Sequence, residues 1–457
     1  MRTPYLLALM VSLLPLKSMA QVAPDPLLAS QIVDRYAEHI FYGSGATGMA
    51  LVAIDGNQRV FASFGETRPG NNVRPQKDSL IRIASLSKLM TSEVMVKLAE
   101  RGQIRLDDPL SKYAPPTGMA LVAIDGNQRV FASFGETRPG NNVRPQKDSL
   151  IRIASLSKLM TSEVMVKLAE RGQIRLDDPL SKYAPPGTRV PAYNGQPIRL
   201  INLSTHTSGL PREQPGGKAQ RPVFVWPTRS ERWTWLSRAN LKAAPGSSAA
   251  YSNLGYDLLG DALSRAAGTP YPALFQQLIT RPLGMKDTTF TPSPEQCGRL
   301  MVAEKGASPC NNTLAAIGSG GVYSTPDDMG RWMQQFLNSS VNHRTPQIDR
   351  LQTLIYRRDQ LTRVEGMDVP GKADALGMGW VYMGPKNGRP GIIQKTGGGG
   401  GFITYMAMVP QHNVGVFVVV TRSPLTRFTP MSDGVNNMLA ELVGNQTGSP
   451  MMVQVIR

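Results

Sequence analysis

Three short stretches of this 457-residue chain carry side chains that could do chemistry together. Ser85 and Lys88, in "ASLSK", stand three residues apart, and Ser155 and Lys158 repeat the pair because the stretch occurs twice. On a helix that spacing puts an amine one turn from a hydroxyl on the same face. A serine hydroxyl is a poor nucleophile at neutral pH, so the lysine serves as its base only if burial or a neighbouring cation suppresses the lysine's own charge. The second stretch is Tyr251-Ser252-Asn253, at a loop-to-helix junction in "APGSSAAYSNLGYDLLGDAL"; the third is Lys395-Thr396-Gly397, at a strand end in "IIQKTGGGGGFITYMAMVP". Each has an innocent reading, as a helix cap, a core aromatic and a flexible linker. All three in this order and local context are a strong signal for serine acyl transfer.

These side chains need a scaffold, and the chain writes part of it twice. Residues 47–116 recur without a difference as residues 117–186. Solenoid repeats diverge and need several stacked neighbours, so a lone identical pair reads as one recent duplication or an assembly error. Within a copy, "MALVAI" and "RVFASF" are strand-like runs that meet across the hairpin turn Asp55-Gly56-Asn57. The period then lengthens. Leu86, Met90, Val94 and Leu98 recur at i+4 and Gly102 stops the run, so Ser85, like Ser155, opens a mostly buried helix. "LDDPLSKYAPP" is a loop, which Asp107-Asp108 and their copy cap rather than forming a catalytic carboxylate pair.

Identical copies leave the nucleophile's address open. Residues 117–186 are extruded between Pro116 and Gly187, or 47–116 between Ala46 and Thr117, or the hairpin of the first copy works with the helix of the second. Loop closure costs the same entropy in each case. Ser85 and Ser155 are therefore expected to be interchangeable.

Composition bounds the setting. With 41% apolar residues the chain can bury one large core or two lobes, and its balance argues against disorder. Arg2, the run "YLLALMVSLL" and the small-residue site Ser18-Met19-Ala20 read as a cleaved secretory signal over residues 1–20, since the run is short and broken by Pro15. The C-terminal "MMVQVIR" is too short to anchor in a membrane. Cys297 and Cys310 are a disulfide candidate in an exported chain, with two free buried thiols as the alternative. Neither they nor four scattered histidines have metal-ligand spacing, so no metal and no cofactor is expected. His206, in "LSTHTSGLP", reads as a structural loop histidine rather than a partner for a serine. The 50 basic against 33 acidic residues fit an anionic neighbour, including peripheral contact with the inner membrane, while export argues against nucleic acid.

With the motifs placed, "FYGSGATGMALVAIDGNQRVF", "THTSGLPREQPGG", "RPLGMKDTTFTPSP" and "GIIQKTGGGGGFITYMAM" complete a likeness. From about Ile32 to Gly444 the chain resembles the serine penicillin-recognising enzymes, in particular the class C β-lactamase-like branch of the penicillin-binding proteins, interrupted only by the extra 70 residues. The resemblance implies an α/β plus all-α architecture, the serine β-lactamase/penicillin-binding protein fold: an antiparallel sheet flanked by helices, and a helical second lobe. The catalytic domain would span 21–447, with an α/β lobe from the N-terminal part and about 380–447 and the helical lobe over about 187–380. The site would lie between the lobes.

The resemblance also implies roles. Tyr251 would sit near the helix lysine and Lys395 and relay protons, and Asn253 would orient that lysine and the substrate amide. Lys395 and Thr396 would hold a terminal carboxylate, glycine after Gly397 would let the substrate strand lie close, and the Gly398 N–H with that of the nucleophile would form an oxyanion hole. The implied activity is a periplasmic D-alanyl-D-alanine carboxypeptidase and endopeptidase, with peptidoglycan muropeptides and β-lactams as partners. A class C-type β-lactamase or esterase is the alternative, as is a catalytically dead wall-binding protein.

Overall fold

Two identical stretches of this chain fold in two different surroundings. The computed structural model describes residues 26–55, 58–107, 118–216, 221–338 and 345–446. The signal segment 1–20, Gly56-Asn57 of the hairpin turn, Asp108, the copy junction at Pro116 and Thr117, and "MMVQVIR" lie outside them. The chain divides into two compact units, Met1–Asp108 and Pro109–Arg457.

The first unit holds the first copy. Helix α1 (Pro26–Ser44) packs on the antiparallel hairpin of β1 (Gly48–Asp55) and β2 (Gln58–Gly65). Ala37 is fully buried and Phe41 stacks on Phe64 with centroids 5.7 Å apart. A Cβ on Gly65 would fall 2.7 Å from the Phe41 ring, and its φ of +69° suits glycine as well. Helix α2 (Ser87–Glu100) follows a tight turn at Ala84–Leu86, with every side chain exposed or half-buried.

The second unit is built on an eight-stranded antiparallel sheet. Its strands are β3 (Met119–Asp125), β4 (Gln128–Phe134), β5 (Tyr356–Arg357), β6 (Ala375–Leu376), β7 (Val381–Met383), β8 (Ile392–Gly399), β9 (Phe402–Val409) and β10 (Val414–Thr421), in the order β5-β6-β7-β8-β9-β10-β3-β4. Alternate residues of β9 and β10 serve opposite faces. Tyr405, Ala407, Val416 and Val418 join Val435 and Leu439 of the C-terminal helix (Phe428–Gln446) in one core. Met406, Met408, Phe417 and Val419 belong to the larger core, with α3 (Ser157–Glu170) and the helix Pro326–Asn338. Covered on both faces, the central strands read as nearly continuous apolar runs. Residues 187–380 supply most of the helices, including α4 (Asn253–Ala267), but they also give the sheet its two-residue strands β5 and β6. Two residues are too few to leave a period in sequence.

Identity of sequence gives identity of local structure. Both copies form the same turn, with Ala84 at φ 48° and Ala154 at φ 46°, and the same fourteen-residue helix after it. Burial differs. Leu159, Met160 and Val164 are at most 1% exposed, whereas their counterparts Leu89, Met90 and Val94 are 67%, 60% and 58% exposed. Burying such a side chain fully is worth about 1.5–3 kcal/mol, which α2 does not collect. This corrects the expectation of a mostly buried helix after Ser85: in this arrangement only the second copy's helix is buried. The arrangement formed is the one in which hairpin and helix of the second copy both join the main sheet and core, while the first copy stays with α1.

Candidate active site

Ser155 lies in the turn Ala154–Leu156 just ahead of α3, on a backbone held in an unusual shape. Ala154 is in the left-handed region, which costs a residue with a Cβ about 1–2 kcal/mol. Its neighbours fix it there: Ser157 Oγ donates to the Ala154 carbonyl at 2.7 Å and accepts from the Val322 N–H at 3.2 Å, and Thr404 Oγ1 donates to the Ile153 carbonyl at 3.1 Å. The turn is thereby bound to β9. Ser155 itself is half-buried, at the edge of the core.

Lys158 is fully buried one turn into the helix. Its Nζ lies 3.1 Å from Ser155 Oγ and 2.6 Å from both Asn253 Oδ1 and the Ser319 carbonyl. Burial pushes the ammonium down to about 7; Asp257 and Glu213 pull it back up, and Arg212 adds to the fall. Burial thus favours the free amine beside the serine hydroxyl. In the first copy no hydrogen bond joins Lys88 to Ser85 among the described residues, and both side chains are exposed.

Asn253 begins α4, whose cap Ser252 accepts from the Gly255 N–H at 2.9 Å. Two residues before it, the Tyr251 ring is stacked on His206 at 4.5 Å and faced by three basic side chains: Lys158 at 4.8 Å, Lys395 at 4.9 Å and Arg212 at 4.8 Å from the centroid. His206 is structural, as its loop context suggests. Its Nδ1 accepts from the Ser252 N–H at 3.0 Å, and burial, with the nearby lysines and Arg212, keeps the imidazole neutral by pushing it well below its ordinary range. It shapes the floor beneath Tyr251 and does not pair with Ser155.

β8 brings up the third stretch. Lys395 is buried, donates to the Thr396 carbonyl at 3.0 Å and lies 4.9 Å from the centre of the Tyr251 ring. Burial lowers its pKa, and Lys158 and Arg212 add to that. Gly397 has no room for a side chain: a Cβ would sit 2.2 Å from Thr404 Oγ1 and 2.7 Å from the Ile153 carbonyl, so only glycine lets the strand pack against the Ser155 turn. Gly398 pairs with Ile403, and beyond it the strand turns through Gly399, Gly400 and Gly401, all at positive φ. The five glycines are a strand end and a tight turn, not a linker.

Several neighbours escaped sequence reasoning. Asp257 lies beneath the lysine, accepting from the Gly318 and Ser319 N–H groups at 3.1 and 2.9 Å and from Ser319 Oγ at 3.0 Å, so it fixes the carbonyl that holds Lys158. Burial pushes its carboxyl up to about 6, against the pull of Arg232. Glu213 accepts from Asn253 Nδ2 at 2.5 Å. It stands in "THTSGLPREQPGG", a stretch that carries the family likeness without marking Glu213 as a site residue. Cys297 and Cys310 are joined in a disulfide, with Cα atoms 5.8 Å apart. Among the described residues there is no metal-binding cluster, and no helix is long and apolar enough to cross a membrane. Clefts of about 620 and 810 Å³ lie elsewhere, one around Pro272 to Gln296 and one beside Lys386 and Asn437, and neither contains Ser155, Lys158, Tyr251 or Lys395.

The Beta-lactamase family model matches residues 30–120 and again 116–436, so each match covers one copy and the second runs on through the downstream motifs. The D-alanyl-D-alanine-carboxypeptidase/endopeptidase AmpH of Escherichia coli (strain K12) is 63% identical over 427 residues, spanning 93% of each chain. A solved beta-lactamase/D-alanine carboxypeptidase from Yersinia pestis, complexed with citrate, superposes with a TM-score of 0.70 at 54% identity, covering 92% of this chain and 100% of that one. A class C beta-lactamase from Rhodobacter sphaeroides shares the fold, with a TM-score of 0.57 at 20% identity over 74% of this chain and 97% of that one.

Proposed function

The chain belongs to the Beta-lactamase family, and from that premise we propose that it is a periplasmic serine DD-carboxypeptidase and DD-endopeptidase that cleaves peptidoglycan peptides through an acyl-enzyme and is acylated by penicillins. The observation that carries this reading is Lys158: a buried amine 3.1 Å from Ser155 Oγ, with its other two contacts taken by acceptors. Ser155 Oγ attacks the carbonyl of the penultimate D-Ala, and its proton passes to Lys158. The C–N bond then breaks, and the leaving amine takes a proton relayed through Tyr251, whose ring lies between Lys158 and Lys395. Water attacks the resulting ester, and the serine recovers its proton. Developing charge on the carbonyl oxygen is met by the backbone N–H groups of Ser155 and Gly398. Lys395 and Thr396 bind the terminal carboxylate, so a carboxypeptidase substrate and the penicillin carboxylate use one position. The name of the 63% identical AmpH supports both peptidase activities.

Two incubations test the reading. With a fluorescent penicillin the protein is expected to carry a covalent label on Ser155, and with a pentapeptide muropeptide it is expected to release D-Ala. Label without peptide cleavage, with rapid release of opened penicillin, would instead indicate a β-lactamase. No label and no cleavage would indicate a wall-binding protein without activity.

A further inference from the structure

A neutral Lys158 can satisfy its three partners in only one way. As a free amine it has two N–H donors and one lone pair. The Ser319 carbonyl can only accept, so it takes one N–H. Asn253 can present either end of its amide. With Oδ1 facing the lysine it takes the second N–H, and the lone pair is left for the Ser155 proton; with Nδ2 facing the lysine it would donate to that lone pair, and the serine proton would lose its acceptor.

Glu213 decides between these. A carboxylate only accepts, and its Oε1 lies 2.5 Å from Asn253 Nδ2, which turns Oδ1 to Lys158 at 2.6 Å. The pairing is built into the backbone: the loop carrying Glu213 accepts at the Arg212 carbonyl from the Asn253 and Leu254 N–H groups, at 2.8 and 3.3 Å, and at the Pro211 carbonyl from Ser252 Oγ at 2.7 Å. Loop and helix start are thus held together by hydrogen bonds to backbone carbonyls.

We propose that Glu213 is a positioning residue for acylation, holding the Asn253 amide in the one orientation that leaves the Lys158 lone pair to Ser155. The inference rests on the assignment of Ser155 and Lys158 made above. Glu213 also contributes negative charge to the lysine. The charged and titratable groups facing Lys158 are Asp257 and Tyr256 from α4, Glu213 and Arg212 from the loop, Tyr251 and His206 beside it, and Lys395 from β8. Of these, Asp257 and Glu213 favour the ammonium, so removing the Glu213 charge lowers the pH at which Lys158 loses its proton.

The test uses the full chain with ¹³C-labelled lysine, following the Lys158 side chain by NMR titration and acylation by a fluorescent penicillin. Glu213→Gln keeps the size but can face Asn253 with either end of its own amide. It is expected to move the Lys158 midpoint to lower pH and to slow acylation about tenfold, the order expected for loss of one hydrogen bond to a charged group, with Glu213→Asp restoring most of both. In an Asn253→Ala background, Glu213→Gln is expected to add no further loss of rate, because there is no amide left to orient. An unmoved Lys158 midpoint overturns the inference, and so does a full tenfold loss in the Asn253→Ala background. A wild-type protein that takes no penicillin defeats the proposed function instead, and the lysine titration still reads the Glu213 inference without any substrate.

Discussion

Ser155 Oγ lies 3.1 Å from Lys158 Nζ, and both belong to the second of two identical copies. The same letters at Ser85 and Lys88 stand on an exposed turn and helix. Ser155→Ala is therefore expected to abolish penicillin labelling, and Ser85→Ala to leave it unchanged, as read by intact-mass spectrometry. If both single variants keep the label and only the double variant loses it, the two copies exchange places.

Acylation should depend on pH through Lys158. The lysine accepts a proton only as a free amine, so the rate rises as pH passes upward through the folded-state pKa, and burial has pushed that value down to about 7. The second-order rate of penicillin acylation is expected to climb between about pH 6 and 8 and then level off. An acid limb near the ordinary lysine range would mean that Lys158 stays charged at neutral pH and does not act as the base.

Lys395 offers a test of substrate polarity. It stands fourth of the eight residues of β8 and donates to the Thr396 carbonyl, and the proposed reading gives it the substrate's terminal carboxylate. Lys395→Ala should raise KM for carboxylate-bearing peptides far more than for neutral esters, since only the former present a charge. Equal losses on both would assign Lys395 to the proton relay with Tyr251 alone.

The parts of this site that sequence discloses are those with a local signature. Lys395-Thr396-Gly397 stands between Ile392-Ile393 and a glycine run that leads into the strand-like "FITYMAMVP", and Ser-x-x-Lys carries its own helical spacing. What holds Lys158 is different in kind. The Ser319 carbonyl is a backbone group 161 residues away, and Asp257 acts by fixing that backbone, so neither leaves a side-chain pattern at the lysine. The periodicity from Leu86 to Leu98 likewise states that a helix has an apolar face to bury, not that a partner is available to bury it. That partner is supplied by tertiary structure, and in this chain it goes to α3.

Stability should respond most sharply at Arg232 and Asp261, both essentially inaccessible to solvent. The guanidinium donates to Asp261 through Nε at 2.7 Å and Nη2 at 3.0 Å, and Trp233 Nε1 adds a third bond at 2.9 Å. Removing one partner of a buried pair leaves the other charge uncompensated, at a cost of about 3–5 kcal/mol. Asp261→Asn is expected to lower the urea midpoint accordingly. A change under about 1 kcal/mol would mean that Asp257, which also faces Arg232, takes over the pairing.

The duplication supplies its own internal control for proteolysis. Trypsin meets the same sites twice, so sequence preference cancels and only structure distinguishes them. Arg82 and Lys88 are exposed, whereas Arg152 and Lys158 are buried. Lys97 is largely exposed at 59%, against 17% for Lys167. Brief digestion is expected to cut within residues 82–101 while the penicillin-labelled portion from residue 118 onward survives, with fragment masses giving the position. Deleting residues 47–116 joins Ala46 to Thr117 and removes a turn and helix that expose Leu86, Leu89, Met90 and Val94, an apolar face of the kind that promotes aggregation. The shortened protein should label with penicillin at the wild-type rate and stay soluble at higher concentration. Loss of labelling on deletion would show that the first copy is a working part of the enzyme, and equal protease resistance of the two copies would show that it is packed as firmly as the second.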